Sequence, residues 1–173
     1  MTIIKQAVIL AGGLGTRLKP LTDKSPKPMI DFYGKPFVLN LIEMLKEQGI
    51  TNIVFLDGYL HKKIEEYFGD GSKFGMNIKY SVGPVEWDTG KRIKEGEDLY
   101  DEHFLLCYCD NYVPVNMKKL TDFYDEKDVK MSVLVYTNKD EFTKSNMKVD
   151  DKGIVTIYDK KRESGELSGV DIG

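Results

Sequence analysis

The chain has 173 residues, of which 41% are hydrophobic, and a formal net charge of −3 at pH 7. This length suits one domain over 1–173 with a sizeable core, and the interspersed acidic and basic residues predict neither a nucleic-acid-binding face nor a membrane-binding surface. No apolar run approaches the roughly 20 residues of a membrane span and no signal-peptide core is visible, so we expect a cytoplasmic protein with a small partner molecule. Cys107 and Cys109 predict small buried side chains rather than a zinc site or a disulfide.

Strand and helix patterns alternate along the chain. Apolar runs predict strands at 7–10, 53–56, 76–81 and 104–109, the last covered on both faces, and helical spacing predicts helices at 37–45, 62–68, 89–99 and 117–124. A β-rich run follows at 131–136, and then a hairpin of 147–149 with 154–158 around the turn at 150–153. No repeat, linker or domain boundary is visible. The alternation predicts an α/β fold, a Rossmann-like three-layer sandwich with a mostly parallel sheet.

A glycine-rich loop follows the first predicted strand. The run LAGGLGTRLKPLT at 10–22 carries three glycines and Arg17, and SPKPM at 25–29 adds Lys27. Glycine lets main-chain N–H groups approach an anion, while Arg and Lys bind phosphate oxygens. The spacing excludes a Walker loop, which needs GxxxxGK[ST], and a dinucleotide fingerprint, whose third glycine is replaced by Leu18. A surface turn is the alternative, but the cations at fixed offsets favour a polyphosphate site.

Asp110 directly follows the predicted strand at 104–109. The carboxyl ends of parallel strands lie on one rim of the sheet, so we expect this carboxylate beside the glycine loop. Mg²⁺ binds through one or two carboxylates plus substrate phosphates, which suits Asp110. A helix N-cap or an Asx turn explains the residue equally well.

Together these motifs resemble the sugar-1-phosphate nucleotidylyltransferases, and the resemblance covers essentially the whole chain. It implies the nucleotide-diphospho-sugar transferase type of fold and a Mg²⁺-dependent reaction. In this reaction a nucleotidyl group passes from a nucleoside triphosphate to a sugar 1-phosphate, and pyrophosphate is released. Mannose and heptose 1-phosphate guanylyltransferases are the nearest subgroups. The resemblance assigns catalysis to Arg17 and Lys27, the metal to Asp110, and the nucleotide to Leu10, Ala11, Gly12, Gly13, Gly15 and Thr16.

The later motifs match this family more loosely. Asp57, Gly58 and Thr89 take positions beside the base, whereas Lys160 and Asp171 take positions beside the sugar phosphate. The sequence departs from the family where Cys109 replaces the glycine before Asp110, and where Asp88 and Lys91 replace two glycines around Thr89. The resemblance implies that the run at 86–93 contacts the base and the sugar, but Trp87 in this run is equally well explained as a cover for the sheet edge. For Lys160 the alternative is a solvated surface, because an exposed lysine run such as 160–161 is usually solvated.

The expected chemistry is an in-line displacement that needs no general base, because the attacking phosphate is already ionised. His61 and His103 are accordingly predicted to be surface or capping residues. The chain ends before the family's second metal-binding aspartate, so we expect a fragment, or a domain completed by a further segment or by another copy in a homo-oligomer. Three alternatives stay open: a cytidylyltransferase acting on a non-sugar phosphate, a non-catalytic nucleotide-sugar sensor, and a purely structural module.

Overall fold

The structure is a computed structural model that describes residues 2–172, so Gly173, two residues after Asp171, lies outside the described residues. The strands are β1 Gln6–Leu10, β2 Asp31–Phe32, β3 Lys35–Pro36, β4 Asn52–Asp57, β5 Asn77–Val82, β6 Leu105–Tyr108, β7 Val135–Tyr136, β8 Met147–Val149, β9 Val155–Tyr158 and β10 Val170–Asp171. The α-helices are α1 Phe37–Glu47, α2 Lys62–Phe68, α3 Thr89–Glu95 and α4 Met117–Lys127. Short 3₁₀ turns occupy Thr16–Leu18, Leu21–Asp23, Lys27–Met29, Ser72–Phe74 and Glu97–Leu99.

The chain divides into two compact units, residues up to Asp128 (the N-terminal unit) and residues from Val129 (the C-terminal unit). The N-terminal unit is built on a four-stranded parallel sheet in the order β5-β4-β1-β6. The two inner strands carry the most buried side chains, with Val8 and Phe55 both at 0% exposure. Continuous apolar runs of this kind are typical of parallel strands covered on both faces. The predicted α/β fold with a parallel sheet is confirmed.

Helix α1 shows why the apolar pattern folds as predicted. Its buried side chains recur at helical spacing: Val38, Leu39, Leu41, Ile42, Met44 and Leu45. Beyond the helix end Gly49 has a φ of 86°, which is the left-handed conformation that a helix-terminating glycine adopts. Helix α2 begins and ends at the predicted residues.

Helix α4 continues to Lys127, three residues past its predicted end, and three further predicted elements differ from the observed ones. The helix predicted at 89–99 ends at Glu95, and a 3₁₀ turn at Glu97–Leu99 follows Gly96. The prediction that both faces of the strand at 104–109 are covered is wrong for Tyr108, which is 38% exposed, because β6 is the outermost strand on its side of the described sheet. Of the β-rich run at 131–136, only Val135–Tyr136 is a strand.

The C-terminal unit consists of two small antiparallel pairs, β8 with β9 and β7 with β10. Asp150 forms the predicted turn of the β8–β9 hairpin, where its carboxylate accepts hydrogen bonds from the N–H groups of Lys152 and Ile154 at 3.0 and 2.8 Å. In residues 2–172 none of the helices has both the length and the apolar character needed to cross a membrane.

Candidate nucleotide site

The glycine-rich loop leaves the sheet at the carboxyl end of β1, between β4 and β6. Gly15 has a φ of 62°, and its carbonyl oxygen accepts hydrogen bonds from the N–H of Leu18 at 2.9 Å and from the hydroxyl of Thr22 at 3.0 Å. The Tyr59 hydroxyl in turn donates to the Thr22 carbonyl at 3.0 Å. These bonds hold the loop in a fixed turn against the segment that follows β4.

Three consecutive N–H groups of this loop are available to a ligand. Within residues 2–172, no acceptor is hydrogen-bonded to the N–H of Gly13, Leu14 or Gly15, and Gly13 and Leu14 are exposed. Successive unpaired N–H groups at a turn form a concavity that binds anions. The exposed Arg17 side chain follows two residues later. The geometry of the loop is therefore compatible with an anion such as phosphate, and its role in binding one stays a prediction.

Lys27 and Asp110 meet beside this loop. The Lys27 ammonium donates to a carboxylate oxygen of Asp110, and the two side chains are 24% and 33% exposed. Two contacts bring them there. The N–H of Cys109 donates to the Leu10 carbonyl at 3.3 Å, and a Cβ added to Gly15 would lie 3.2 Å from the Lys27 Cβ. The structure thus places the loop, Lys27 and Asp110 on one rim, as expected.

The donor set on this rim is compatible with Mg²⁺ held jointly with a substrate. Among residues 2–172, no cluster of three or more His, Cys, Asp or Glu side chains is arranged to hold a metal ion. Asp110 offers one partly exposed carboxylate, and a hard cation with several water and phosphate ligands needs only one or two of these. Burial raises the pKa of the neighbouring Cys109 thiol to about 12, so this cysteine stays a neutral, inert neighbour at pH 7.

Asp57, predicted to lie beside the base, is fully buried at the end of β4. Its two carboxylate oxygens have no hydrogen-bond partner in the described chain. Burial, and to a smaller extent the nearby negative charge of Glu65, raise the pKa of Asp57 to about 8, although the positive charge of Arg92 opposes both effects. Asp57 thus faces the interior, whereas Gly58 lies against the loop, where a Cβ would come within 2.7 Å of the Gly12 carbonyl oxygen.

Thr89 is the first residue of α3. The carboxylate of Asp88 accepts a hydrogen bond from the Lys91 N–H at 2.7 Å and so caps this helix, which explains an aspartate at a position where the family has glycine. Trp87 lies against Gly83, where an added Cβ would lie 2.2 Å from the indole ring.

Sequence reasoning missed Arg92, which is only 5% exposed. Its guanidinium donates to three main-chain carbonyls, those of Asp57 at 2.5 Å, Gly12 at 3.2 Å and Pro84 at 2.6 Å. No local pattern in the sequence signals this role, because Arg92 lies among charged residues on a short helix.

In the C-terminal unit, Asn146 connects the two segments predicted to bind the sugar phosphate. Its carbonyl accepts the N–H of Asp159 at 2.8 Å, and its side-chain oxygen accepts the N–H of Asp171 at 2.9 Å. The Asp159 carboxylate accepts the Ser164 hydroxyl at 2.6 Å together with N–H groups from its own loop, and these bonds hold its pKa well below the usual range. The exposed Lys160 stands on this loop. The roles of the site residues in both units stay predictions.

Comparison with known proteins identifies the family to which the chain belongs. The family profile of the nucleotidyl transferases matches residues 6–162. A D-glycero-α-D-manno-heptose 1-phosphate guanylyltransferase from Campylobacter jejuni is 32% identical over 166 residues, which cover 95% of this chain and 73% of that protein. A UTP–glucose-1-phosphate uridylyltransferase from Synechocystis is 30% identical over 181 residues, which cover 96% of this chain.

The chain spans about half of the Synechocystis protein, 47% of its length. Among solved structures, HddC from Yersinia pseudotuberculosis complexed with GMP-PN superposes with a TM-score of 0.72 at 26% identity, covering 98% of this chain and 73% of that one. With the family profile matched over most of its length, the chain belongs to the nucleotidyl transferase family.

Proposed function

We propose that the protein transfers a nucleotidyl group from a nucleoside triphosphate to a sugar 1-phosphate and releases pyrophosphate. The observation that carries this proposal is the anion-binding turn at Gly13–Gly15 beside Arg17 and the Lys27–Asp110 pair. The sugar phosphate as acceptor is supported by the relatives, since the names of both include a sugar 1-phosphate.

The reaction requires two anions to be held together. An oxygen of the sugar phosphate forms a bond to the α-phosphorus while the bond from that phosphorus to the oxygen of the leaving pyrophosphate breaks. Positive groups and oriented N–H groups offset the charge on the leaving group, which is the role we assign to the loop, Arg17 and Lys27. The attacking phosphate is ionised at neutral pH, so His61, which contacts Glu65 at 2.8 Å, has no proton to remove.

We further propose that Asp110 holds Mg²⁺ together with the triphosphate. The bound cation would neutralise phosphate charge and orient the phosphoryl oxygens. Binding of the cation would replace the Lys27 ammonium as the partner of Asp110, which would free Lys27 to contact a phosphate. We also propose that the protein is cytoplasmic and forms a homo-oligomer.

The experiment is a substrate panel scored by pyrophosphate release, in which ATP, GTP, CTP, UTP and dTTP are each combined with hexose and heptose 1-phosphates. We expect turnover with a subset of pairs, and a loss of roughly 10²–10³-fold in kcat for Arg17→Ala, the effect typical of removing one group that stabilises developing charge. Lys118→Ala is the control, because this lysine is 70% exposed and forms an ion pair with Asp122 on α4.

Two additions to this panel, phosphocholine as an acceptor and calorimetry with nucleotide sugars, separate the alternatives. Turnover with phosphocholine but with no sugar phosphate would favour a cytidylyltransferase. Tight binding of a nucleotide sugar in calorimetry, without pyrophosphate release from any pair, would favour a sensor. Turnover unaffected by Arg17→Ala would contradict the assignment of the site.

A further inference from the structure

Arg92 is a buried cation whose hydrogen-bond partners within residues 2–172 are all main-chain carbonyls. The three acceptors belong to three different segments, each at the carboxyl end of a parallel strand: Gly12 after β1, Asp57 at the end of β4 and Pro84 after β5. A buried charge is costly unless it is hydrogen-bonded. The neutral carbonyls supply the hydrogen bonds, and the Asp57 carboxyl supplies opposite charge when it ionises.

Two glycines make room for this guanidinium. A Cβ added to Gly12 would lie 2.2 Å from the Arg92 Cζ, and one added to Gly58 would lie 2.8 Å from the Arg92 Nη2. Neither glycine has a positive φ, so the close approach rather than the backbone conformation requires glycine here. Gly12, predicted to face a phosphate, is buried and in contact with Arg92.

A lysine at position 92 could not form the same set of hydrogen bonds. A guanidinium presents five N–H donors in a fixed plane and can reach carbonyls on different sides, whereas an ammonium is a compact point charge on a flexible stem. The acceptors are fixed to the first residues of the glycine loop and to the segments that flank it. Arg92 therefore fixes the position of the Gly12 backbone, from which the segment with the unpaired N–H groups of residues 13–15 continues.

We propose that Arg92 is a positioning residue that holds the anion-binding loop in its binding conformation by joining three strand ends. The proposal rests on the function proposed above in so far as the loop's ligand is a nucleotide. It adds a residue on α3 that touches no substrate and determines nucleotide affinity through the backbone of Gly12.

The first test needs no substrate. Hydrogen exchange is followed at the amides of Ala11, Tyr59 and Gly83, whose N–H groups are bonded to Leu56, Gly12 and Asp57 carbonyls at 3.0, 3.4 and 3.1 Å. In Arg92→Met we expect these amides to exchange at least about tenfold faster, while the β8–β9 hairpin is unchanged. Lys94→Met, on the same helix and 70% exposed, is the matched control and should leave all of them unchanged.

The second test measures nucleotide binding. Arg92→Met should raise the Kd of the preferred nucleoside triphosphate by about tenfold or more, because the loop loses the hydrogen bonds that hold its backbone in place. The KM of the sugar phosphate should not change. Arg92→Lys should recover little of this affinity. A purely structural role would instead lower both substrates' binding together through loss of folded protein.

Gly12→Ala provides a second route if Arg92→Met folds poorly. The new methyl group must displace the guanidinium, so the same three amides should lose protection. Adding Arg92→Met to this variant should increase their exchange rates by a smaller factor than Arg92→Met does in the wild type. Unchanged exchange in Gly12→Ala or Arg92→Met, or faster exchange spread evenly over the chain, would overturn the proposal. If the wild type turns over no substrate pair, the proposed function fails while the exchange experiment still decides the role of Arg92.

Discussion

At the scale of single residues, the Lys27–Asp110 pair is expected to matter for activity but hardly for folding stability. Both partners are partly exposed, and such ion pairs contribute only about 0–1 kcal/mol to folding. We therefore expect Lys27→Met to lower kcat/KM for the nucleoside triphosphate by roughly 10²-fold or more, as for other groups that stabilise a leaving anion, with almost no change in the urea midpoint.

Lys35→Met is the matched control for this variant. Lys35 forms an ion pair of the same kind with Glu43 and is 36% exposed, but it lies on β3 outside the glycine loop. Steady-state kinetics measure kcat/KM for both variants, and we expect the large loss in Lys27→Met alone. Equal losses of activity would contradict a specific role for Lys27.

The buried Asp57 predicts a pH dependence of stability. Its pKa is about 8 in the folded protein and near 3.8 in the unfolded chain, so over this interval the unfolded chain has lost a proton that the folded protein keeps. The contribution of Asp57 to the free energy of unfolding should be largest below about pH 4 and should fall, by at most about 1.4 kcal/mol per pH unit, as the pH rises to 8. The groups around Asp57 are Glu65, Arg92, Tyr80 and Cys109.

Asp57→Asn removes this titration. We expect urea unfolding at pH 5, 7 and 9 to show a smaller decrease in stability for this variant than for the wild type, and a higher stability than the wild type at pH 9. Parallel pH profiles for the two proteins would show that Asp57 is ionised in the folded state.

Residue types indicated the chemistry of the loop but not every contact. Free N–H groups at Gly13–Gly15 follow from a glycine-rich turn after a strand, and the position of Asp110 follows from the rule that parallel strands end on one rim. The contact of Arg92 with Gly12 joins residues 80 positions apart. No local pattern reports such a contact, because an arginine on a short charged helix is normally solvated.

At the scale of elements, β4 is the strand on which the packing of the N-terminal unit depends. It pairs with β1 on one side and β5 on the other, and its Phe55 ring lies 5.6 Å from that of Phe68 and 5.9 Å from that of Tyr80. Phe55→Ala should lower the free energy of unfolding by about 3–5 kcal/mol, because it removes a wholly buried ring.

Chemical denaturation followed by circular dichroism measures this change. Ile3→Ala is the control, since Ile3 is 74% exposed and its truncation should change stability by less than about 0.5 kcal/mol. A loss for Phe55→Ala no larger than that of the control would contradict the central position of β4.

Elements with strong periodicity were predicted well, and those decided by tertiary position were not. The spacing in α1 and the Gly49 terminator follow from the chain itself. The exposure of Tyr108 depends on β6 being outermost in the described sheet, and the end of α3 at Glu95 depends on the turn that follows it. These outcomes depend on neighbours that a single sequence does not specify.

At the scale of the whole molecule, the residues predicted for the two substrates belong to different compact units. The triphosphate residues precede Asp128, whereas Lys160 and Asp171 follow Val129. If each unit supplies its own substrate contacts, Lys160→Ala should raise the KM of the sugar phosphate by about 10–100-fold, the loss of one charge-assisted hydrogen bond, and leave the nucleotide Kd unchanged. Arg17→Ala should instead raise the nucleotide Kd and leave the KM of the sugar phosphate unchanged. Lys161→Ala is the control, because this neighbour is also exposed and lies on the loop that Asp159 holds in place. Calorimetry for the nucleotide and initial rates for the sugar phosphate measure the two effects separately, and equal losses for both substrates in either variant would contradict this division of roles.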